Sequence, residues 1–306
     1  MNSHIIDTAS QRLHADGGGF RKLVWLHSAV PVLVSVVLLL LTALSDRIAP
    51  EGGLSNMDTH TMITTVLTVL QLTAMVGVLF WNAGLEYTAL SFLRGRSIGV
   101  GSLTEGFSRF GALMISWIFR WGNYLLLIMV SGTATSLLFA FLPLPQFLYE
   151  DFGAFLSAPA LPMKPTVLFM TILYFLLYFT VLAGILVPRF YQHRLTGYFI
   201  MEDTPSGGLQ AVLQSTGLMR GNRWKLAKLD LRFWWFYLGE LAVTGISMGQ
   251  LFFPDVPGGS WLFPVISMAA QLGLYFLAKP KLAACYALFY ESLTSQPPAE
   301  EPAAAD

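Results

Sequence analysis

The sequence predicts an all-α fold: a polytopic bundle of six transmembrane helices, with amphipathic helices on the cytoplasmic side or at the interface. Six long apolar stretches divide the chain, and each is long enough to cross a hydrocarbon core about 30 Å thick at about 1.5 Å per residue. Composition agrees, because 55% of the residues are hydrophobic and only 12% are charged, against about 25% in a typical soluble domain. The six predicted spans are residues 23–44, 62–81, 121–142, 166–187, 233–253 and 261–284.

The positions of Lys and Arg orient these spans. Sixteen of the 18 lie before span one, between spans two and three, between spans four and five, or at the inner end of span six. Arg47 and Lys164 lie in the other gaps. Because Lys and Arg are retained on the cytoplasmic side, both termini are predicted to be cytoplasmic. The net charge of zero hides this asymmetry.

One membrane domain accounts for most of the chain. Residues 1–22 are polar and are predicted to form a flexible cytoplasmic N-terminal arm, and residues 23–293 form the six-span membrane domain. Residues 294–306 are rich in Pro, Ala and Glu and are predicted to be a disordered cytoplasmic tail. Span one is longer than the apolar region of a signal peptide, so we expect it to be a signal anchor that stays in place.

The segment between spans two and three is predicted to be helical rather than a plain linker. Helical character continues past span two, and a helix over residues 59–93 would be about 50 Å long and project from the bilayer. Ser102 and Glu105 have the spacing of a capping box, with Ser102 as the N-cap. The helix that follows carries an apolar stripe suited to an interface, formed by Phe107, Phe110, Met114 and Trp117.

The longest cytoplasmic piece, residues 188–232, is predicted to contain a helix that ends near Gly221. One face of that helix would be apolar and would pack on the inner bilayer surface; its members are Leu209, Val212, Leu213 and Thr216.

A second helix is predicted to lead into span five. Its apolar face is Leu226, Leu229 and Phe233, and its cations lie elsewhere on the helix. With the preceding Arg223, these cations are the candidate contacts for anionic lipid headgroups: Arg223, Lys225, Lys228 and Arg232. Each cation near a membrane surface contributes about 1 kcal/mol of attraction. Simple interfacial anchoring and a specific lipid or protein site are both compatible with this pattern.

Three motifs resemble a known family. The first is the run from Ser215 to Phe233, which includes Leu218-Met219-Arg220-Gly221. The second is Leu93-Arg94-Gly95 with Gly106-Phe107, and the third is Phe289-Tyr290-Glu291. Together they resemble an uncharacterised bacterial membrane family catalogued as domain of unknown function 975, over about residues 84–293. Arg232 and Lys281 depart from that pattern. The resemblance implies a multispan protein of the bacterial cytoplasmic (inner) membrane, and it implies no activity.

Polar side chains inside the predicted spans form the candidate intramembrane site, because such groups are costly in lipid and face a bundle interior or a cavity. They line stripes on spans two, five and six that would either surround a wet cavity or hydrogen-bond across a dry interface. The candidate site residues are Glu240, Arg120, Thr244, Ser247, Gln250, Gln71 and Gln271.

Glu240 is the acidic residue within a span, and an ionised carboxylate there needs a partner. We expect it to face the bundle interior and to pair with Arg120, whose guanidinium matches a carboxylate. Pairing with Lys279 or Lys281, or a protonated Glu240 bonded to Thr or Gln, are the alternatives.

The sequence contains no recognisable catalytic, metal or cofactor motif. The five His residues are scattered without an H-x-x-x-H pair, which argues against a zinc site. The lone Cys285 provides neither a disulfide nor a cysteine metal cage. We therefore expect no catalytic residues, no cofactor and no nucleic-acid partner.

These observations favour a non-catalytic membrane protein that acts through lipid or partner contacts, such as a subunit or modulator of a transport or export system. The expected partners are the bilayer, its anionic headgroups on the cytoplasmic side, and a protein in the membrane. A small-solute or lipid transporter is the alternative, and an intramembrane enzyme is the third class considered.

The charge distribution predicts the topology directly. A fluorescent protein fused after residue 306 is expected to be bright, and alkaline phosphatase fused there is expected to be inactive, because the C-terminus lies inside. Alkaline phosphatase fused after residue 155, beyond span three, should be active. Phosphatase activity from the C-terminal fusion would contradict the assignment.

Overall fold

The structure, a computed structural model, describes residues 2–48, 57–140, 165–202, 207–249 and 259–295. The molecule is about 90% helical, and its described residues contain no β-strand, which confirms the all-α prediction. The helices are α1 (Asn2–Ala15), α2 (Gly19–Ile48), α3 (Met57–Leu93), α4 (Val100–Ser108), α5 (Phe110–Ala140), α6 (Pro165–Gln192), α7 (Thr196–Ile200), α8 (Gly208–Leu218), α9 (Arg223–Asp230), α10 (Trp234–Ser247) and α11 (Gly259–Thr294).

Five helices among the described residues are long and apolar enough to cross a membrane, and their candidate spans are Gly19–Leu44, Thr61–Leu93, Phe110–Leu137, Ile172–Ile200 and Trp261–Thr294. These are the features of a multi-pass membrane protein. The remaining predicted span, residues 233–253, is represented by α10. Its 14 residues reach only about 21 Å, and residues 250–258 lie outside the described part. The sixth span therefore stays a prediction.

The chain divides into two compact units. Unit 1 comprises Met1–Leu113, Gly197–Gly207 and Trp224–Asp306, and unit 2 comprises Met114–Thr196 and Gly208–Arg223. In unit 1, helices α1, α2, α3, α4, α10 and α11 pack on one another, and in unit 2 α6 packs on α8.

The contact between α3 and α4 depends on two glycines. A Cβ atom at Gly84 would lie 1.7 Å from the backbone oxygen of Leu103, and one at Gly106 would lie 1.9 Å from that of Phe80. Neither separation is sterically possible, so the two helix backbones approach closely only because both positions lack a side chain. This close approach turns the chain back along α3 directly after that helix ends.

Hydrogen bonds tie α2 to its neighbours in unit 1. The Trp25 indole Nε1 donates to the backbone oxygen of Phe276 at 3.0 Å. His27 and Trp81 pair reciprocally, because Trp81 Nε1 donates to the His27 oxygen at 2.8 Å and His27 Nε2 lies 3.0 Å from the Trp81 oxygen. Their rings also stack, with centroids 5.5 Å apart. Each interhelical bond in a membrane contributes about 0.6 kcal/mol, and His27 therefore serves in packing.

The N-terminal segment differs from the predicted flexible arm. Residues Asn2–Ala15 form α1, and Ile5, Ala9 and Leu13, one turn apart, are buried. Arg12 Nη1 donates to the backbone oxygen of Leu93, which satisfies one of the carbonyls left unpaired at the end of α3. The arm is therefore a docked helix, and its apolar stripe is buried within unit 1.

The segment after span two is partly as predicted. The long helix is confirmed, because α3 is 37 residues long and runs to Leu93. The capping box is wrong: α4 begins at Val100 with Gly99 as its N-cap, and the Ser102 hydroxyl donates to the Gly99 oxygen at 2.6 Å. Ser102 therefore lies inside the first turn, where its hydroxyl bonds an earlier carbonyl instead of capping.

The cytoplasmic piece before span five contains the predicted helix and the predicted break. Helix α8 ends at Leu218, and α9 begins at Arg223 after a turn. Val212 is buried within the protein, whereas Leu209 and Leu213 are exposed, so the packing of this face on the bilayer stays a prediction. The buried side of α8 is formed by small residues instead: Gly208, Ala211 and Ser215 accompany Val212.

Candidate functional site

Three helices of unit 1 bring a guanidinium and two carboxylates together. Arg94 follows the last residue of α3, and its Nε donates to Glu291 Oε1 of α11 at 2.7 Å. Its Nη2 donates to Glu202 Oε1, just after α7, also at 2.7 Å. The planar guanidinium presents donors in fixed directions, so one side chain holds two segments in register.

Tyr290 completes this group. Its side chain is fully buried, and its hydroxyl donates to Glu202 Oε2. The ring stacks on Tyr198 with centroids 5.3 Å apart and an interplanar angle of 18°. Phe199 contacts the same ring edge-on at 5.2 Å. We call Arg94, Glu202, Tyr290 and Glu291 the Arg94 clamp; both Glu202 oxygens have donors in it.

The electrostatics of the clamp favour the charged guanidinium. Partial burial lowers the pKa of Arg94, and the hydrogen bonds and negative charges of Glu202 and Glu291 more than offset this, so the net effect raises its pKa above the ordinary value. An arginine held in this way stays protonated at physiological pH. Arg94 therefore acts in the clamp as a fixed positive charge that joins the two carboxylates.

Neighbouring contacts extend the clamp toward α7. A Cβ atom at Gly197 would lie 1.6 Å from Glu86 Oε2, so only glycine lets the Glu86 carboxylate lie against the backbone of α7. Arg109 Nη1 lies 3.4 Å from the Ile200 oxygen, to which it donates. The Glu86 carboxylate thus lies against the start of this short helix, and Arg109 binds its last carbonyl.

Sequence reasoning missed the clamp. The pattern around Glu202 predicts a solvated loop carboxylate, and this is wrong, because Glu202 is only 27% exposed and is bound by Arg94. A signal was present: Arg94 belongs to one of the three motifs and Tyr290 and Glu291 belong to another. Positions from two of the three motifs thus meet in the structure.

Glu240 lies on α10, and its surroundings in unit 1 are groups from α11. Tyr275 lies within hydrogen-bonding reach of its carboxylate, and Lys279 acts on it through its charge. The Lys279 ammonium lies 4.4 Å above the Tyr275 ring centroid, and Gln271 Nε2 donates to the Tyr275 hydroxyl at 3.1 Å. Lys279, one of the alternatives to Arg120, is therefore the cation that acts on Glu240 within unit 1. We call Glu240, Gln271, Tyr275 and Lys279 the Glu240 cluster.

The hydroxyls of the stripe predicted on span five do not join helices in the described residues. Thr244 Oγ1 donates to the backbone oxygen of Glu240 at 2.9 Å, and Ser247 Oγ donates to that of Thr244 at 2.7 Å. Both hydroxyls thus bond their own helix, as is usual for Ser and Thr in membrane helices. Gln250, the last predicted member of this stripe, lies outside the described residues.

Gln71 lines an open apolar groove in unit 1 with a volume of about 420 Å³. Its walls come from α2, α3 and Met268 of α11, and apart from Gln71 the polar side chains in them are Ser35 and Thr42. Both hydroxyls donate to carbonyls of α2. Gln71 thus lies in the groove, and Gln271 lies in the Glu240 cluster.

Arg120 belongs to unit 2, and its Nε donates to the backbone oxygen of Ser116 at 3.2 Å. Its pairing with Glu240 stays a prediction. The four candidate headgroup contacts lie on or beside α9: Lys225, Lys228 and Arg232 are exposed, and Arg223 is half-buried. Among the described residues, no group of three or more His, Cys, Asp or Glu side chains is placed to hold a metal ion.

Removing the cation of the clamp should destabilise the protein. Arg94→Gln leaves Glu202 and Glu291 facing each other, and we expect a loss of about 2 kcal/mol in the free energy of unfolding. Fully buried pairs lose about 3–5 kcal/mol, and the clamp side chains are partly exposed, which reduces the effect. SDS titration in mixed micelles measures this loss.

Adding Glu291→Gln should restore part of it, whereas Arg96→Gln, an exposed neighbour, should change stability by less than about 0.5 kcal/mol. Equal losses in the Arg94 and Arg96 variants would refute the role of the clamp.

No protein-family model matches this chain, and no curated protein or solved structure matches it either. The resemblance to the domain of unknown function 975 therefore depends on the motif residues alone and stays a prediction. What two of the motifs do in this molecule is nevertheless visible from their contacts, because Arg94, Tyr290 and Glu291 form the clamp.

Proposed function

We propose that this chain is a non-catalytic multi-pass protein of the bacterial inner membrane that acts through contacts with anionic lipid and with a protein partner in the membrane. In this proposal it has six spans and cytoplasmic termini, and it serves as a subunit or modulator of a transport or export system. Membership of the domain of unknown function 975 family is part of the same proposal.

The observation that carries the proposal is the surface of α9 and the short turn after it. Leu226 and Leu229 are fully buried there and Phe233 is nearly so. On the exposed side lie aromatic, apolar and cationic side chains together: Trp224, Lys225, Lys228, Leu231 and Arg232. We call these five residues the α9 surface; Trp224 is 74% exposed and Leu231 is 65% exposed.

A surface of this make-up suits the inner headgroup region. Trp concentrates at membrane interfaces because its ring is apolar and its N–H is polar. Lys and Arg are attracted to the anionic lipids of the cytoplasmic leaflet. An amphipathic helix in this position sinks its apolar side chains to the headgroup boundary and leaves its cations among the phosphates. The buried leucines fix α9 to unit 1, so the surface is presented in one orientation.

The Glu240 cluster favours a second candidate function, a small-solute or lipid transporter. Glu240 Oε1 is buried, and among the described residues it has no hydrogen-bond partner. A carboxylate that lies beside Lys279 and has a buried oxygen without a hydrogen-bond partner is the kind of group that transporters use to bind a proton or a cation.

Neutralising the cations of α9 should weaken lipid binding. We expect the quadruple variant Arg223→Gln, Lys225→Gln, Lys228→Gln and Arg232→Gln to lose up to about 4 kcal/mol of attraction to phosphatidylglycerol, at about 1 kcal/mol per cation. Quenching of tryptophan fluorescence by brominated phosphatidylglycerol in mixed micelles measures this, with Trp224→Phe identifying the reporting indole. A charge-preserving variant, Lys225→Arg, Lys228→Arg and Arg232→Lys, should bind as the natural chain does. Unchanged binding in the quadruple variant would reject the α9 surface as a lipid site.

The transporter candidate predicts a proton flux that depends on Glu240. Proteoliposomes with a pH gradient and entrapped pyranine should lose the gradient with the natural chain and keep it with Glu240→Gln. Glu240→Asp, which retains the carboxylate, and Glu105→Gln on α4 should both leave the flux intact. No flux from the natural chain, with destabilisation by both Glu240→Gln and Lys279→Gln, would assign the cluster to structure alone.

A further inference from the structure

The described residues of unit 2 are strongly and uniformly basic. They include no Asp, Glu or Lys, and their charged side chains are five arginines: Arg120, Arg189, Arg194, Arg220 and Arg223. Three of these, Arg120, Arg189 and Arg194, belong to the end of α6, the turn after it and the facing part of α5. The topology predicted from the sequence puts these positions at the cytoplasmic membrane surface.

His193 lies between Arg189 and Arg194 in the sequence, in the turn after α6. Its side chain is only 3% exposed, and neither ring nitrogen has a hydrogen-bond partner among the described residues. The Tyr124 ring from α5 packs against the imidazole with centroids 5.9 Å apart. A buried polar group without partners costs about 1–3 kcal/mol, and a bound ion or molecule is one of the few explanations for such a group in a folded protein.

The positive charges of the arginines act on these rings. Arg120 and Arg189 interact electrostatically with His193, and Arg120 and Arg194 interact in the same way with Tyr124. The turn is itself tied down, because Ser215 Oγ of α8 donates to the Gln192 oxygen at 2.8 Å. The charges are therefore grouped by the fold and not by chance on a loose loop.

Local contacts orient the guanidinium groups. Arg189 Nη1 donates to Gln192 Oε1 at 3.1 Å. Arg194 lies over the Phe190 ring, with its central carbon 5.6 Å from the ring centroid. A guanidinium has five N–H donors, so the bond from Arg189 to Gln192 uses one of several donors that this exposed arginine carries.

We propose that Arg120, Arg189, His193 and Arg194 form a binding site for a phosphate group. Arginine binds phosphate through two parallel N–H bonds, and an imidazole N–H supplies a further donor. Basic pockets between membrane helices on the cytoplasmic side bind the phosphates of lipid headgroups. Phosphatidylglycerol in the inner leaflet and inorganic phosphate from the cytoplasm present the same chemistry to this site.

This site is independent of the α9 surface. None of its four residues belongs to α9, and its formation depends on α5, α6 and the turn at residues 193–195. Each measurement is therefore made both in the natural chain and in the quadruple α9 variant, so that loss of one site is distinguished from loss of the other.

The test uses the full chain in nanodiscs of phosphatidylcholine, with tryptophan fluorescence as the signal, since Trp121 lies 6.4 Å from Tyr124 between ring centroids. In one arm phosphatidylglycerol is titrated into the discs, and in the other inorganic phosphate is added to the buffer. Saturable binding in either arm supports the site and identifies the source of the phosphate. Saturation in neither arm would overturn the proposal, and His193 would then be bound by water only.

Substitutions assign the binding to these residues. Arg189→Gln should weaken it about fivefold, which corresponds to about 1 kcal/mol per cation near a membrane. His193→Phe keeps a ring against Tyr124 but removes both nitrogens, and it should weaken binding by at least as much. The matched control is Arg220→Gln, which removes an exposed arginine of the same unit and should leave binding unchanged. If His193→Phe does not fold, judged by its melting curve, the exposed Arg189 variant still decides. Equal binding by the Arg189 variant and the Arg220 control would reject the site.

Discussion

Hydrocarbon offers no hydrogen-bond partners, and this constraint governs where polarity occurs in this molecule. Every backbone group of a membrane span must be satisfied within the chain, which is why the long apolar segments are helices. Side chains obey the same limit. The hydroxyls of Thr65, Thr68 and Thr73 on α3 donate to carbonyls one turn earlier, as do those of Ser35 and Thr42 on α2. These threonines and serines therefore have their hydroxyl protons satisfied without a neighbouring helix.

Charged groups cannot be satisfied in this way, and they occur where the chain provides several partners at once. The Arg94 clamp has one cation between two carboxylates, with Tyr290 as an additional donor. Its three charged side chains are 23–34% exposed, so the desolvation cost is smaller than for a pair in the middle of a core. The clamp joins residues 94, 202 and 291, which are far apart in sequence. It therefore joins α3, α7 and α11 at fixed positions along the chain, because each of its hydrogen bonds links two specific atoms.

Hydropathy and charge were sufficient to predict the long helices, because they depend on local sequence only. The extension of α3 to Leu93 and the break before α9 are local features too. Long-range contacts were not predictable. The sequence around Glu202 has the composition of a solvated loop. No residue within one turn of Glu202 indicates that Arg94 is its partner. The docking of α1 lies between these cases: Ile5, Ala9 and Leu13 have a helical spacing, but the short stripe has meaning only once a surface exists to bury it.

The candidate site shows the same division between residue type and placement. Glu240 stands out in the sequence as a carboxylate within a span, yet its surroundings are determined by which face of α11 meets α10. Gly239, the residue next to Glu240, packs against the Leu274 side chain: a Cβ atom there would lie 2.9 Å from the leucine methyl groups. That packing brings Tyr275, which follows Leu274, and Lys279, one turn further along, to the carboxylate. The carboxylate thus meets a tyrosine and a lysine because α10 and α11 pack on each other, and the polarity of the site follows from the packing of the helices.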